Sequence, residues 1–231
     1  MNTPVAPWQR DELKVEWCGG AVYVEHAGSG LLLDAPRGVS DRLGARLSRI
    51  RAVVLTSGRA GSVCGLVSLL ASLQPHRDHP LRVFFALGEE RGAGLAEAWV
   101  RGWPDSFPVD LDGVMAEATL DEGPFEIRLR ELRAGEPRWR RDDVVRTYAH
   151  AVSVRTSSGH VVWVPSCAPT THVSRATHGA DLAVIEVGVT PWPRSSHRWR
   201  MSTSDAIRLC GAEELWTPGD DGKLPAPTSA A

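Results

Sequence analysis

Apolar residues are grouped along this chain in short runs whose spacing predicts alternating strands and helices. A near-continuous apolar run at residues 51–56 predicts a strand that is covered on both faces. Period-two alternation at residues 125–132 predicts a strand with one polar face. Apolar residues at spacing four within residues 38–47 predict a helix with one buried face. Strands followed by helices occur within residues 13–90 and again within 113–217, which predicts an α/β fold built as a four-layer αββα sandwich.

The chain length sets the expected domain organisation. A chain of 231 residues is typical of a single large domain, which buries roughly 70% of its extended surface on folding. We predict this domain at residues 13–222, after a polar lead-in at residues 1–12. Residues 223–231 lack the apolar content that folding requires and predict a disordered tail.

Charge and cysteine content narrow the class of protein. A formal net charge of −2 gives no overall attraction to nucleic acid, so we do not favour a nucleic-acid partner. No apolar run approaches the roughly 18 residues of a membrane span, and the N-terminal residues lack the pattern of a secretory signal. The four cysteines are widely spaced, which is typical of reduced thiols. We therefore expect a cytoplasmic protein with no membrane contact.

Residues 30–73 carry the most informative motif. They read as an apolar strand ending in Asp34, a helix, a second apolar strand ending in Thr56, a glycine-rich turn and another helix. This order resembles the opening of the metallo-β-lactamase fold, and most closely its ribonuclease Z-like branch, where the second strand leads into Thr-His-x-His-x-Asp-His. The resemblance extends over residues 13–220 and implies the same αββα sandwich.

The resemblance also implies that the family's metal ligands are missing. The motif positions that would bind metal hold Ser57, Arg59, Gly61 and Ser62. Serine and glycine offer no imidazole or carboxylate donor, and the fixed charge of Arg59 opposes a divalent cation. We therefore expect no zinc and no other cofactor. The family's remaining ligand positions would fall near residues 134–135, 165–168 and 218–219, which contain no histidine or acid.

Several residues around this motif are candidates for ligand binding. Ser57, Arg59 and Ser62, next to the retained Asp34, would form a pocket for an anion at the start of a helix. Cys64 follows the turn, and Cys167 lies in a second turn that would face it. These two thiols either form a soft-metal or redox pair or are ordinary buried cysteines.

Two stretches that combine tryptophan and arginine are candidates for partner binding. Both residue types are common in interface hot spots, although loop tryptophans also pack on their own domain. The candidate residues are Arg138, Trp139, Trp192, Arg198, Trp199 and Arg200.

These patterns predict a noncatalytic binding or regulatory protein, with an unknown protein partner or a small anionic ligand, and with a homodimer left open. Two alternatives remain at this stage. One is an active hydrolase of the same superfamily that cleaves a phosphodiester or ester through an atypical site. The other is a structural subunit that pairs with an active homologue.

Overall fold

A computed structural model describes most of the chain, with gaps in the loops and at both ends. The described residues are 7–77, 79–87, 90–103, 105–132, 149–167, 169–187, 201–218 and 228–229.

Two seven-stranded sheets pack face to face in the described part of the chain, and helices cover their outer faces. This arrangement confirms the predicted four-layer αββα sandwich. The first sheet has its strands in chain order, and the second follows the order β14-β13-β12-β11-β10-β9-β8. The first sheet contains β1 (Trp8–Arg10), β2 (Leu13–Trp17), β3 (Val22–His26), β4 (Ser29–Leu33), β5 (Ile50–Leu55), β6 (Leu81–Ala86) and β7 (Val109–Val114).

The second sheet resembles the first, with antiparallel strands on one side and parallel strands beside them, but a further antiparallel strand pairs with its parallel edge. β11, β12 and β13 run parallel, as do β4, β5, β6 and β7 of the first sheet. The second sheet contains β8 (Thr119–Glu122), β9 (Phe125–Leu132), β10 (Ala149–Thr156), β11 (Gly159–Val164), β12 (Leu182–Ile185), β13 (Glu214–Trp216) and β14 (Thr228–Ser229).

The helices are short and bury one face each against a sheet. None of the described helices has the length and apolar character that a membrane crossing needs. The first four α-helices cover the outer face of the first sheet, and the last two cover the outer face of the second. They are α1 (Val39–Leu43), α2 (Ala60–Val63), α3 (Leu66–Leu73), α4 (Glu90–Gly102), α5 (Thr171–Thr177) and α6 (Thr203–Leu209), with 3-10 turns at Gly44–Arg49 and Gln74–His76.

Apolar side chains fill three layers, of which the middle one lies between the sheets. Val54 and Phe84 of the first sheet face Val152 and Trp163 of the second within this layer. Each side chain of this size contributes about 1.5–3 kcal/mol when it is removed from water. The middle layer therefore holds the two sheets at a fixed separation, and this positions the strand ends that are described below.

Three sequence predictions differ from the structure at element boundaries. The lead-in includes β1, which pairs with β2, and the tail includes β14, which pairs with β13. Both short strands add to an open sheet edge, whose unpaired backbone groups favour further pairing. The helix predicted from residue 38 to 47 ends at Leu43, because Gly44 adopts a positive φ of 52° and a 3-10 turn follows.

The helix predicted after the glycine-rich turn is divided into α2 and α3, and Cys64 lies in the turn between them. Gly65 explains the interruption. Its N–H donates to the carbonyl of Ala35 over 2.8 Å, and a Cβ at this position would lie 2.0 Å from the carbonyl oxygen of Pro36. The chain therefore passes too close to the segment after β4 for a continuous helix with a side chain here.

The carboxyl ends of the parallel strands meet at one end of the sandwich. The backbone N–H of His150, in β10, donates to the carbonyl of Thr56, directly after β5, over 3.0 Å. This hydrogen bond joins the second sheet to the first. In open α/β sheets, the carboxyl ends of parallel strands are where ligands bind. The candidate site therefore lies at this end.

Candidate functional site

Asp34 is the central buried acid of the site. It follows β4 in a left-handed conformation with φ of 68°, and its residue surface is 1% exposed. Its Oδ1 accepts hydrogen bonds from the backbone N–H of Thr56 (2.8 Å) and from the Thr56 hydroxyl (2.9 Å). Its Oδ2 accepts from the indole Nε1–H of Trp163 in β11, over 3.0 Å. One carboxyl group thus connects β4, β5 and the second sheet.

The protonated form of Asp34 is favoured more strongly in this buried environment than it would be in water. Burial raises the pKa of this carboxyl from 3.8 to about 7, while the hydrogen bonds from Thr56 and Trp163 lower it. The negative charge of Glu186 adds a smaller increase. Asp34 therefore titrates near neutral pH.

Three hydroxyl groups surround the turn after β5. The Ser57 and Ser62 oxygens lie 3.0 Å apart, and the Thr56 and Ser62 oxygens lie 3.4 Å apart. The backbone N–H of Arg59 donates to the Ser57 oxygen over 3.4 Å. All three hydroxyl-bearing residues are buried. Their hydroxyls hydrogen-bond to one another at the positions around which the resemblance would place metal ligands.

The Arg59 side chain crosses from the first sheet to the second. Its guanidinium Nη1 donates to the carbonyl of Ser166, after β11, over 2.9 Å. The backbone N–H of Ser166 donates to Oε2 of Glu186, which follows β12, also over 2.9 Å. Arg59 as a residue is half-buried. We call Asp34, Thr56, Ser57, Arg59, Ser62 and Ser166 the strand-end cluster.

The predicted helix N-terminus contributes less to an anion pocket than expected. The helix after Arg59 is the four-residue α2, and the backbone N–H groups of Ser62 and Val63 both donate to the Arg59 carbonyl, over 2.9 and 3.2 Å. These N–H groups are therefore used within the turn. The guanidinium of Arg59 is the stronger candidate donor for an anion.

The two candidate cysteines lie in different environments. Cys167 follows Ser166 and is 4% exposed, and burial raises the pKa of its thiol to about 12, against a lowering by the charge of Arg59. Cys64 is exposed in the turn between α2 and α3. Both thiols are free. Their predicted soft-metal or redox pair stays a prediction.

Comparison with known proteins gives no match from sequence but a consistent match from structure. A scan of protein-family models matches none of them, and a search of curated proteins gives no significant match. Human tRNase Z, short form, superposes with a TM-score of 0.66 at 15% identity, over 93% of this chain and 88% of that one. The metallo-β-lactamase-fold protein YhfI from Bacillus subtilis superposes with a TM-score of 0.62 at 16% identity, over 85% and 76%. A diphosphatase of the PhnP family gives 0.60 at 15% identity, over 87% and 73%.

This chain has the metallo-β-lactamase fold. The strand-end cluster lies where the resemblance placed the metal motif of that fold. Within the described residues, no group of three or more histidine, cysteine, aspartate or glutamate side chains is placed to hold a metal ion. The hydroxyls of Ser57 and Ser62 and the cation of Arg59 do not fit the imidazole and carboxylate donor set of a dinuclear zinc centre.

Six residues were predicted to form the pocket. Hydrogen bonds, in part through Thr56, connect four of them: Asp34, Ser57, Arg59 and Ser62. The structure buries Cys167 within electrostatic reach of Arg59 and leaves Cys64 exposed. The predicted partner-binding residues lie outside the described part of the chain. These are Arg138, Trp139, Trp192, Arg198, Trp199 and Arg200.

Sequence reasoning missed three residues of the site. Trp163 gave a general signal, because the indole N–H of a buried tryptophan usually finds an acceptor, but the sequence does not pair it with Asp34. Glu186 gave a weaker signal, as an acid at the end of an apolar strand. Ser166 gave none, because it contributes through its backbone.

Proposed function

We propose that this protein is a noncatalytic binding protein with the metallo-β-lactamase fold, and that its strand-end cluster binds a small anionic ligand or an anionic group of a partner. The observation that carries this proposal is the position of Arg59. Arg59 is a half-buried residue whose backbone N–H donates to the Ser57 oxygen and whose guanidinium donates to the Ser166 carbonyl, at the strand ends where the fold's enzymes hold metal.

The chemistry of the cluster supports the noncatalytic part of the proposal. A zinc hydrolase generates a metal-bound hydroxide at neutral pH, and this requires ligands that the strand-end cluster does not supply. The Asp34 carboxyl is already engaged by Thr56 and Trp163. We therefore propose that the protein functions without zinc.

The donor capacity of Arg59 supports an anionic ligand. A guanidinium has five N–H donors, and the contact with Ser166 uses one of them. Planar pairs of these donors bind carboxylate or phosphate oxygens in a bidentate manner. One of the structurally similar proteins is a diphosphatase, so inorganic phosphate and diphosphate are the first probes.

Calorimetric titration with phosphate and diphosphate tests the anion site. We expect the wild-type protein to bind at least one of them, and Arg59→Ala to weaken binding by about tenfold or more, since a hydrogen bond to a charged group contributes about 1.5–3 kcal/mol. Arg101→Ala is the matched control, because Arg101 is 75% exposed on α4 and pairs with Glu97. Equal affinity in wild type and Arg59→Ala would contradict the proposal.

Elemental analysis tests the absence of zinc. The protein is purified without chelator from cultures supplemented with zinc, manganese and iron. We expect less than about a tenth of an equivalent of each metal, whereas zinc sites of this family's kind hold metal tightly. Near-stoichiometric metal would overturn the noncatalytic reading and direct attention to phosphodiester and ester substrates.

A further inference from the structure

The carboxyl group of Asp34 has neighbours that can satisfy both of its protonation states. The backbone N–H of Thr56 donates to Oδ1, and the indole N–H of Trp163 donates to Oδ2. The Thr56 hydroxyl lies 2.9 Å from Oδ1 and 2.8 Å from Oδ2. A hydroxyl both donates and accepts, so this one can donate to the carboxylate or accept from the carboxylic acid. The site can therefore gain or lose a proton without a change of partners.

Buried hydroxyl groups connect this carboxyl to the residue proposed to bind an anion. The Ser62 oxygen lies 3.4 Å from that of Thr56 and 3.0 Å from that of Ser57. The Ser57 oxygen accepts from the backbone N–H of Arg59 over 3.4 Å. All three hydroxyl-bearing residues are buried, and solvent ions screen buried charges much less than exposed ones. A change of charge at Arg59 is therefore expected to act on Asp34.

The carboxylate of Glu186 shows the sign of this effect. It accepts from the backbone N–H of Ser166 over 2.9 Å, and its charge raises the pKa of Asp34. The Arg59 guanidinium donates to the carbonyl of the same Ser166. An anion on the spare donors of this guanidinium leaves that contact intact and adds negative charge on the same side of the site. It should therefore act on Asp34 with the same sign as Glu186.

We propose that anion binding at Arg59 and protonation of Asp34 favour each other, so that the protein takes up a proton when it binds an anion. This inference rests on the proposed anion site and adds its regulation by pH. The coupling is reciprocal, because a ligand that raises the affinity for a second ligand has its own affinity raised by the same factor. Since Asp34 has a pKa of about 7, anion affinity should be higher below this pH and decrease as pH rises through it.

Other charged or titratable groups near Asp34 have to be separated from it. Glu186 faces the site from the end of β12, and Arg59 stays positive at every accessible pH. Burial raises the pKa of the Cys167 thiol to about 12, so this thiol stays neutral. The ring Nδ1 of His150, in β10, lies 3.4 Å from the carbonyl of Thr56, and histidines ordinarily titrate near about 6.5. His150 is therefore the group that a test has to distinguish from Asp34.

Calorimetric titration with sulfate tests the coupling. The charge of sulfate is constant near neutral pH, whereas phosphate groups titrate there themselves. Titrations at about pH 7 in buffers of different ionisation enthalpy measure the protons taken up on binding. For a coupling of about fivefold, we expect uptake of about 0.3 proton per sulfate and binding about fourfold tighter at about pH 5.5 than at about pH 8.5.

Two variants and one spectroscopic measurement assign the proton. Asp34→Asn removes the titrating carboxyl and should bind sulfate without the proton uptake. His150→Gln removes the histidine and should keep the uptake of wild type. Infrared difference spectra of wild type with and without sulfate need no variant. In these spectra, the C=O band of a protonated carboxyl should increase when sulfate binds at about pH 7.

The outcomes separate the coupling from the anion site. If sulfate binds and Arg59→Ala weakens its binding but no proton is taken up, the coupling is overturned and the anion site stands. Uptake that persists in Asp34→Asn, or is lost in His150→Gln, overturns the assignment to Asp34 and with it the proposal. If neither sulfate nor phosphate binds at any pH, both proposals fail. Should Asp34→Asn not fold, an unchanged carboxyl band in wild type overturns the coupling and an increased band supports it.

Discussion

The strand-end cluster and a second buried polar cluster, at the opposite end of the second sheet, satisfy their hydrogen bonds in different ways. In the second, the Ser153 hydroxyl lies 2.7 Å from Nε2 of His160, whose Nδ1 lies 3.1 Å from the Gly179 carbonyl. The carbonyl can only accept, so Nδ1 carries the proton and Nε2 accepts from the serine. The backbone N–H of His160 donates to Asp181, which also pairs with Arg10. We call Ser153, His160, Asp181 and Arg10 the far-end cluster.

The difference lies in charge and in what each cluster connects. The far-end cluster buries a neutral histidine and leaves its ion pair near the surface, where Arg10 is 46% exposed. The strand-end cluster buries an acid and directs a cation from one sheet to the other. A neutral, fully bonded network is what a stable sheet end needs. The charged cross-sheet network is the one for which we propose an anionic ligand.

The far-end cluster also illustrates why a serine–histidine contact is not assigned as catalytic. A serine nucleophile needs a base within hydrogen-bond reach, and Ser153 has one. However, both side chains are buried, and Ser153 shares the face of β10 whose neighbours Ala149 and Ala151 pack with α5. A hydrogen-bonded pair in this position completes the packing between sheet and helix.

The largest expected effect comes from removing the carboxyl of the strand-end cluster. Asp34→Ala leaves the Thr56 N–H and the Trp163 indole N–H buried without acceptors, at about 2 kcal/mol each. Alanine is also disfavoured by about 1 kcal/mol at the positive φ of this position. We expect the free energy of unfolding in urea to fall by about 5 kcal/mol.

Asp34→Asn is the matched control for this prediction. Asparagine tolerates the left-handed conformation and keeps one acceptor oxygen. Its amide nitrogen, however, is a donor that faces another donor where a carboxyl oxygen accepted a hydrogen bond. The expected loss is about half that of Asp34→Ala. Equal stability of wild type and Asp34→Ala would show that the carboxyl does not tie the sheets together.

The two clusters should respond to pH with opposite signs. Because burial raises the pKa of Asp34 to about 7, the native state binds this proton more tightly than the unfolded state. The associated stability is present below about pH 4 and is lost as pH rises through about 7, by on the order of 4 kcal/mol. Burial lowers the pKa of His160, so its contribution is present above the unfolded value of about 6.5 and is lost as pH falls.

Urea unfolding between about pH 4.5 and pH 8 measures both signs, in the window that the two pKa shifts define. The stability of wild type relative to Asp34→Asn should increase as pH falls. The stability of wild type relative to His160→Asn should decrease over the same range. Two slopes of the same sign would mean that one of the two groups is not buried in the protonation state assigned to it.

The sequence predicted elements best where the signal was local. The near-continuous apolar run at residues 51–56 and the period-two alternation at residues 125–132 correspond to β5 and β9. The helix α6 also begins at a local signal, because Ser202 and Asp205 form a capping box in the structure. In contrast, β1 has the sequence Trp-Gln-Arg and forms because β2 offers an open edge. No local pattern encodes that contact.

The candidate site shows the same limit more sharply. Asp34, Ser57, Arg59 and Ser62 could be named because they lie in one motif of 29 residues that resembles a known fold. Their cross-sheet partners lie far away in sequence, since Trp163 is 129 positions after Asp34. The sequence shows that Arg59 puts a cation where the resemblance expects a metal ligand. Which backbone carbonyl this cation contacts depends on how the two sheets pack, and the sequence does not show that.

The smallest expected effects compare single hydroxyl groups in the two clusters. Ser153→Ala leaves the buried Nε2 of His160 without a donor and should cost about 2 kcal/mol in unfolding free energy. Ser57→Ala should cost about 1 kcal/mol, because Ser62 retains a second hydroxyl neighbour in Thr56. Ser57→Ala/Ser62→Ala should cost less than the sum of its single changes, since removing both partners leaves fewer groups unpaired.

A double-mutant cycle on Ser57 and Ser62, measured by urea unfolding, checks this order. A coupling energy of about 0.5 kcal/mol or more would establish that the two hydroxyls bond each other in solution, as the 3.0 Å distance indicates. Strict additivity would instead mean that each hydroxyl has an independent partner. In that case the turn after β5 is not a closed network, and its serines are available to a ligand together with Arg59.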